Sequence, residues 1–476
     1  MTAKISRRDL LKLSGLAAGG LALGLGAPRK VVAGSDNSRH GGDPSQRNSY
    51  FDSLKPYIPG SEALDPDEMR ISFLGTSCIP SLSQAAVSVF VELGNGECFM
   101  FDCGTGVTPK YFALGVTLDK MSKIFLAHNH SDHMGDLPYV YAFGQSFGRV
   151  WPLYVWGPTR SGFVWKDPDG KYPLGKKPLE DGVADICAAL KKFCIWHTES
   201  QSFMYTSINS YDVPKPWDTT GSRCKDAYDI VVKELHWRNT GKNSQGLANQ
   251  DNVAYHDRSK GVKITHFPAV HCREGAVSYK LEWNGLSMIY SGDTKPNQYM
   301  IDQAKSGVDV LIHEMVVPAD VWVKKLGLPD TQAAIDGAQA VQDSSHTPQK
   351  AFGYILDQID QQGTAPRLAV GTHFQATDDT IKAALRDIRT WYPRGDVAVA
   401  SDFVVVNVSK KKGPKVRRAV VSEYAWPQAP VPASEDCATP KYWKYSDDTK
   451  TTKVQAPEAQ LDPNALVIDP DLYNAR

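Results

Sequence analysis

The sequence predicts a mixed α/β fold, and three observations support this class. Strand-like segments come first, as hairpins closed by turns such as Asn95-Gly96. From about residue 308 onward, apolar strand-like segments alternate with segments of helical periodicity. Histidine and aspartate residues cluster where these strands end. The 476 residues, 42% of them hydrophobic, are enough for one large domain or two ordinary ones.

The N-terminal segment is not expected to belong to the fold. Ser6-Arg7-Arg8 and the residues that follow resemble a twin-arginine export signal. The Leu/Ala/Gly-rich stretch at 13–27 is too short and too glycine-rich for a transmembrane helix. We therefore expect residues 1–33 to be a signal peptide, 34–68 to be a polar linker, and the mature protein to be periplasmic or secreted without a stable membrane anchor.

Charge and cysteine usage narrow the possible partners. The 53 basic residues balance 53 acidic ones, so nothing favours a nucleic-acid or anionic-membrane partner. The eight cysteines form no Cys-x-x-Cys pair, which argues against a structural zinc ribbon. A homo-oligomer is compatible with the composition.

The elements of the main domain, 69–409, follow from hydrophobic pattern and turn signals. Strands are predicted at 70–74, 86–93, 98–102, 123–127, 152–156, 262–265, 276–282, 287–290, 308–312, 367–372 and 397–408. One helix is predicted after Thr347 as N-cap and another after Thr377. The mostly loop-like stretch at about 158–260, with a helix at 183–196 and a strand-like segment at 228–233, is interpreted as an insertion. Residues 410–476 form a polar, Pro-rich C-terminal extension.

The strongest chemical signal is His128-Asn129-His130-Ser131-Asp132-His133, directly after a predicted strand. Imidazole nitrogens and carboxylate oxygens bind zinc where no thiolate is used. Further candidates, His271, Asp293 and His373, also follow strands. Side chains at strand ends converge on one cleft of an α/β scaffold, so these residues predict a metal site.

The pattern His-x-His-x-Asp-His at 128–133 resembles the signature of the metallo-β-lactamase superfamily. Residues 101–106 resemble its first motif, and His271, 291–294 and 372–374 its third, fourth and fifth. Residues 313–315, 346–348 and 401–403 are similar to blocks of the ribonuclease Z and arylsulfatase-like branch. The resemblance covers about 69–408 and implies a four-layer αββα sandwich with an insertion after the second motif.

The resemblance also implies the roles of the site residues. One metal ion would be held by His128, His130 and His271, and a second by Asp132, His133 and His373, with Asp293 bridging both. Two Zn²⁺ ions are expected, with Mn²⁺ or Fe as alternatives, sharing a hydroxide that acts as nucleophile. Asp132 would orient or deprotonate the water, and His346 would protonate the leaving group. Asp102 would orient one of the metal ligands without binding the metal itself. His313 would either do the same or be a core histidine.

The substrate class is inferred from what surrounds these motifs. Ribonuclease Z carries a tRNA-binding arm between its third and fourth motifs, whereas here only the predicted hairpin 276–290 separates His271 from Asp293. We therefore expect a dinuclear-metal hydrolase cleaving a small anionic ester, an aryl sulfate or a phosphodiester. The alternatives are a lactonase-type hydrolase and a ribonuclease Z-like RNA 3'-processing endonuclease. A non-enzymatic metal-binding protein is the least favoured.

Overall fold

The computed structural model describes residues 50–147, 149, 151–164, 177–201, 213–214, 223–224, 228–239 and 252–421. The predicted signal peptide at 1–33 lies outside the described residues, as do part of the predicted linker and most of the C-terminal extension. Within the described ranges, no helix combines the length and the apolar character needed to cross a bilayer.

Two large β-sheets form the centre of the molecule. The strands are β1 (Lys55–Tyr57), β2 (Met69–Gly75), β3 (Ser88–Leu93), β4 (Cys98–Phe101), β5 (Lys123–Phe125), β6 (Leu153–Pro158), β7 (Val213–Pro214), β8 (Arg223–Cys224), β9 (Ile230–Leu235), β10 (Val253–Asp257), β11 (Val262–Pro268), β12 (Val277–Trp283), β13 (Leu286–Tyr290), β14 (Val310–Glu314), β15 (Leu368–Thr372), β16 (Val397–Val399), β17 (Val404–Ser409) and β18 (Gly413–Ala419). The first sheet has nine strands in the order β1-β18-β17-β2-β3-β4-β5-β6-β9. The second has seven, in the order β10-β11-β12-β13-β14-β15-β16, and β7 pairs with β8.

Helices lie mainly in the connections between these strands. They span Thr108–Ala113, Ser131–Met134, Leu137–Phe143, Val183–Phe193, Ile195–Gln201, Gln298–Ala304, Ala319–Lys325, Gln332–Ser345, Gln349–Gln362 and Asp378–Arg389. Short 3₁₀ helices occur at Phe51–Ser53 and Gln145–Phe147.

The two sheets pack against each other through aromatic side chains. Successive residues of a strand point to opposite faces, and β6 follows this rule. Tyr154 and Trp156 lie in the core between the sheets, where Phe125 stacks on Trp156 with ring centroids 4.4 Å apart. Leu153 and Val155 lie in a second core with the helices at 108–113 and 183–193. The mixed α/β class is thus confirmed, while the full four-layer order stays a prediction.

The predicted strand at 397–408 is wrong, because the chain breaks there and changes sheet. β16 belongs to the seven-stranded sheet and β17 to the nine-stranded one. Between them, Phe403 has a φ of 71°. The Asp402 carboxylate accepts hydrogen bonds from Thr76 Oγ1 at 2.7 Å and from the Ala85 N–H at 2.6 Å. This buried turn interrupts an apolar pattern that is otherwise continuous, so hydrophobicity alone did not reveal it.

The domain is also larger at both ends than the predicted 69–409. β1 lies within the predicted linker and β18 within the predicted C-terminal extension, and the two strands pair in parallel. β9 and β10, both inside the predicted insertion, complete the edges of the two sheets. Only part of the range 158–260 is therefore an insertion.

Helix boundaries differ from prediction at two places. The helix predicted at 183–196 is two helices, with Cys194 as the C-cap of the first. Thr347 is not an N-cap, because its hydroxyl donates to the Thr294 carbonyl at 2.7 Å and the helix begins at Gln349. Thr377 is the N-cap of the helix Asp378–Arg389, as predicted.

Parallel strands bring the motif-bearing loops to one edge. β4, β5 and β6 run parallel in the first sheet, and β13, β14 and β15 run parallel in the second. Loops at the carboxyl ends of parallel strands meet on the same side of a sheet. The motif at 128–133 follows β5, Asp293 follows β13, and His373 follows β15.

Candidate metal centre

The seven predicted ligands come together in two groups. His128, His130 and His271 form the first group, and Asp132, His133, Asp293 and His373 form the second. Within each group the potential ligand atoms lie within 4.8 Å of one another. Residues more than 240 positions apart in the sequence thus meet in one site.

Asp293 lies between the two groups. Its Oδ1 is 3.2 Å from His133 Nε2, and its Oδ2 is 3.2 Å from His373 Nε2. The same Oδ2 is 4.0 Å from the Nε2 atoms of His128 and His271. A carboxylate in this position can place one oxygen toward each of two metal ions.

The donor atoms fit a divalent metal ion because several of them are buried and have no other partner. His128 Nε2, His133 Nε2, His373 Nε2 and Asp293 Oδ1 are buried and accept or donate no hydrogen bond of normal geometry. An unpaired buried polar atom costs about 1–3 kcal/mol, so a cluster of them is explained by a ligand that they bind together. Imidazole and carboxylate are the donors that zinc and similar ions prefer.

Electrostatics in the metal-free site follow from burial and crowding. Burial, and then the neighbouring imidazoles of His133, His130 and His271, hold the pKa of His128 well below its ordinary value. Burial alone would lower the pKa of His133, but the carboxylates of Asp293, Asp102 and Asp132 hold it well above. The pKa of His373 is likewise raised against the effect of burial, mainly by Asp293.

The two carboxylates of the site are ionised. Burial would raise the pKa of Asp132, but the neighbouring charge of His133 holds it well below its ordinary value. Burial would raise the pKa of Asp293 too, and there His373 and His133 outweigh it. Asp132 Oδ2 lies 3.5 Å from both His133 Nε2 and His373 Nε2. Both aspartates therefore offer charged oxygens to a cation.

Asp102 fixes the orientation of His133. Its Oδ2 accepts a hydrogen bond from His133 Nδ1 at 2.6 Å and from the Tyr290 hydroxyl at 2.6 Å. Its Oδ1 accepts from the Ala127 N–H at 2.7 Å. Because Nδ1 faces Asp102, Nε2 is the ring nitrogen of His133 that faces Asp293 and the candidate metal position, and it can bind a metal ion once it has lost its proton. The role predicted for Asp102 stays a prediction that this hydrogen bond supports.

Glycine is required where the motif loops touch. Gly104 lies against the loop that carries the ligands, and a Cβ at this position would be 2.3 Å from the Asp132 carbonyl oxygen. Gly292 has a φ of +57°, and a Cβ there would be 2.3 Å from the Ala127 Cβ. Both positions thus need glycine for the close approach of backbones that hold Asp132 and Asp293.

His346 lies beside the metal centre and is held by Glu314. The His346 Nδ1 atom is 3.1 Å from Glu314 Oε1 and 3.8 Å from Asp293 Oδ2. Glu314 Oε1 also accepts from the Thr294 N–H at 2.9 Å. His346 Nε2 has no hydrogen-bond partner among the described residues, so it remains available to a ligand in the cleft.

His313 has a different environment from the one expected for a residue that supports the site. Its Nδ1 is 2.7 Å from the Glu314 carbonyl oxygen, and its ring stacks on Phe352 with centroids 5.2 Å apart. On strand β14 the side chains of His313 and Glu314 point to opposite faces, so only Glu314 reaches His346. Of the two alternatives left open for His313, the stacking on Phe352 supports the core histidine, and Glu314 is the neighbour that contacts His346.

Comparisons with known proteins agree with this geometry. Residues 84–145 match the model of the family described as "Metallo-beta-lactamase superfamily". The ribonuclease Z of Methanothermobacter thermautotrophicus is 35% identical over 252 residues, which cover 53% of this chain and 75% of that protein. The chain belongs to the metallo-β-lactamase superfamily, in its ribonuclease Z branch.

Other members of the superfamily are more distant. The ribonuclease BN of Escherichia coli K12 is 23% identical over 358 residues, covering 71% of this chain and all of that protein. The crystal structure of human tRNase Z, short form, aligns with a TM-score of 0.42 at 19% identity, over 71% of this chain and 98% of that one. The superfamily assignment makes the protein a metal-dependent hydrolase that acts on ester bonds, with the His/Asp clusters as its divalent-metal site.

A cleft lies beside the first ligand group. His128, His130 and His271 line it, together with Thr159 and Ser161 from the loop after β6 and Asp181 from the insertion. His271 is oriented by its Nδ1, 3.0 Å from the Ser345 carbonyl oxygen. The insertion thus contributes directly to the surface that a substrate would contact, which no sequence motif indicated.

Proposed function

We propose that the protein is a hydrolase with two divalent metal ions, zinc being the favoured ion, that cleaves phosphodiester bonds. The observation that carries the proposal is Asp293, whose two carboxylate oxygens lie within 3.2–4.0 Å of imidazoles from both ligand groups. A carboxylate shared in this way is suited to hold two ions close together. Two adjacent ions favour an in-line displacement at phosphorus, because the attacking and leaving oxygens can each be neutralised.

Bound metal would supply a nucleophilic water of lowered pKa and would polarise the ester. The chain's own residues do the rest. Asp132 carries a charged oxygen and is partly accessible, with its side chain 21% exposed, so it can accept a hydrogen bond from a water in the cleft and orient it. Asp102 and the Ser345 carbonyl orient His133 and His271, which keeps the ligand atoms in place before substrate arrives.

His346 is the proton donor for the leaving oxygen in this proposal. His346 Nδ1 lies 3.1 Å from Glu314 Oε1, while Nε2 is left without a partner among the described residues. The Nδ1 contact fixes the orientation of the ring and leaves Nε2 to face the leaving oxygen. A positioned acid of this kind is worth about 100- to 10,000-fold in rate.

A phosphodiester is favoured over an aryl sulfate because the similar proteins carry ribonuclease names. The second candidate function is RNA 3'-processing, as the names ribonuclease Z and ribonuclease BN suggest. Against it, hairpin β12–β13 fills the interval between His271 and Asp293, all of which lies in the described range 252–421. The tRNA-binding arm expected there by family resemblance has no room in this chain, so we infer a smaller phosphodiester substrate.

The test is a panel assay of purified, metal-loaded protein, with the metal content measured in the same samples. The panel contains bis(p-nitrophenyl) phosphate, p-nitrophenyl sulfate, a γ-lactone, a cephalosporin and a precursor tRNA. The proposal expects hydrolysis of the phosphodiester above all others, and loss of at least about 100-fold in kcat in Asp132→Ala. Asp309→Asn, far from the cleft, serves as control and retains activity. Preferred cleavage of the sulfate, the lactone or precursor tRNA would replace the substrate assignment, and no hydrolysis of any substrate would refute it.

A further inference from the structure

Arg273 extends from the ligand loop into the cleft beside the metal centre. It follows His271 by two residues and lines the cleft together with His130, Thr159 and Ser161. Its side chain is 46% exposed, so it is open to a molecule that enters. Its positive charge is close enough to His130 to be one of the causes that lower the pKa of that imidazole. Arg273 is therefore a cation next to the place where a substrate ester would lie.

The position of Arg273 is set by Asp181 of the insertion. Arg273 Nη2 donates to Asp181 Oδ2 at 2.9 Å. Asp181 also accepts from the Ser161 N–H at 2.9 Å and from Ser161 Oγ at 2.6 Å. The Asp181 carbonyl accepts from Asn129 Nδ2 at 2.9 Å. One residue of the insertion thus connects the loop after β6, the ligand loop after β5 and the loop that carries His271.

This contact leaves part of the guanidinium free to hydrogen-bond, while its carbon lies 5.8 Å from the centroid of the Phe163 ring. Nε and Nη1 of Arg273 make no hydrogen bond with any residue in the described part of the chain. The Asp181 carboxylate accepts three hydrogen bonds, and only one of them comes from Arg273. A guanidinium edge with two free donors matches the oxygens of a phosphate or carboxylate group.

We propose that Arg273, oriented by Asp181, binds a second anionic group of the substrate, outside the ester that is cleaved. The subsite lies on the side of the His128, His130 and His271 group, and its ligand is a phosphate or carboxylate carried by the substrate. The insertion therefore contributes to substrate selection by holding this arginine. The inference rests on the proposed phosphodiester hydrolysis, because it assigns a specificity determinant to that reaction.

The experiment compares two substrates with one leaving group. They are the p-nitrophenyl ester of thymidine 5'-phosphate and the same ester carrying an additional 3'-phosphate. For metal-loaded wild-type protein, we expect kcat/KM to be at least about 10-fold higher for the second substrate, mainly through KM. Arg273→Ala should bring that ratio close to one, and Arg273→Lys should keep part of it. Asp181→Asn should also lower this ratio, although Arg273 and its charge are retained.

Arg238→Ala is the matched control. Arg238 forms an ion pair at 2.7 Å with Glu274, the residue that follows Arg273, and both side chains of the pair are 60% exposed. It should keep the wild-type ratio, and all variants should keep the wild-type metal content. Equal ratios in wild type and Arg273→Ala would overturn the subsite, as would a wild-type ratio near one, while the proposed function would stand. Failure of the metal-loaded wild type to cleave either ester would instead overturn the proposed function and the subsite with it.

Discussion

Asp102→Asn is the most informative single change, because the carboxylate is fully buried and serves three donors. His133 Nδ1, the Tyr290 hydroxyl and the Ala127 N–H all lie 2.6–2.7 Å from its two oxygens. Asparagine has nearly the same shape but only one acceptor oxygen. If that oxygen stays on Ala127, the new amide N–H₂ faces His133 Nδ1. The imidazole then accepts at Nδ1 and carries its proton on Nε2, where the metal ion would bind.

The expected loss follows from this change of tautomer. Removing a partner that orients a metal ligand costs about 10- to 100-fold in metal affinity, which corresponds to about 1.4–2.7 kcal/mol. The effect should fall on the metal ion held by His133. The metal-free protein should lose less, about 1–3 kcal/mol in its free energy of unfolding. Burial already raises the pKa of Asp102, so removing its charge offsets part of the lost hydrogen bonding.

The assay is chelator competition followed by metal analysis, with urea unfolding of the metal-free protein as a second measurement. Asp309→Asn is the control, because Asp309 accepts from the Ser287 N–H at 2.7 Å and from Arg367 at 2.5 Å, away from the cleft. It should reduce stability and leave metal affinity unchanged. Unaltered metal affinity in Asp102→Asn would show that His133 needs no orientation by Asp102, and the assignment of its role would fail.

Three further predictions concern the metal and the proton donor. Metal analysis should find about two ions per chain, and Asp293→Ala should lower the affinity for both; one ion in wild-type protein would contradict the bridging role. Metal binding near neutral pH should release protons, because the carboxylates hold the pKa values of His133 and His373 well above the ordinary value against the effect of burial. The metal affinity should therefore fall as the pH falls. Calorimetry in buffers of different ionisation enthalpy measures how many protons are released on binding. If no proton is released, His133 and His373 are not protonated in the metal-free protein. His346→Ala should slow phosphodiesters with poor leaving groups far more than p-nitrophenyl esters, and equal losses would retire its role as acid.

The sequence predicted the parts of the site that lie in short motifs at strand ends. A loop that follows a buried strand has its direction fixed by that strand, so the positions of His128 to His133, Asp293 and His373 could be inferred without coordinates. The contact of Glu314 with His346 was not predicted, and the role of His313 was left open, because the two residues are adjacent and only the register of β14 decides which side chain faces the cleft. The relation of Asp181 to Arg273 was invisible, since 92 residues separate them and neither belongs to a motif.

The fold was predictable in class but less so in its boundaries. Apolar runs located most strands of both sheets, yet 397–408 was predicted as one strand because its hydrophobic pattern is barely interrupted. What divides it is the buried Asp402, which accepts hydrogen bonds from Thr76 and the Ala85 N–H. Such partners are over 300 residues away in the sequence. The outer strands β1 and β18 were missed for a related reason, because strands with many polar residues carry little hydrophobic signal.

Two residues of the site have backbone conformations that non-glycine residues rarely adopt, and their positions explain why. Asp102 has a φ of 58° and His373 a φ of 59°, and each follows a buried strand, β4 in one sheet and β15 in the other. Such conformations cost about 1–3 kcal/mol and persist only where the surroundings enforce them. Here the Phe374 N–H donates to the Thr76 carbonyl at 2.7 Å, and the Asp102 N–H to the Phe125 carbonyl at 2.9 Å. Each contact ties the strained turn to a neighbouring strand or its end. The packed sheets therefore hold the metal site in shape, and the ligands need little rearrangement to bind a metal ion.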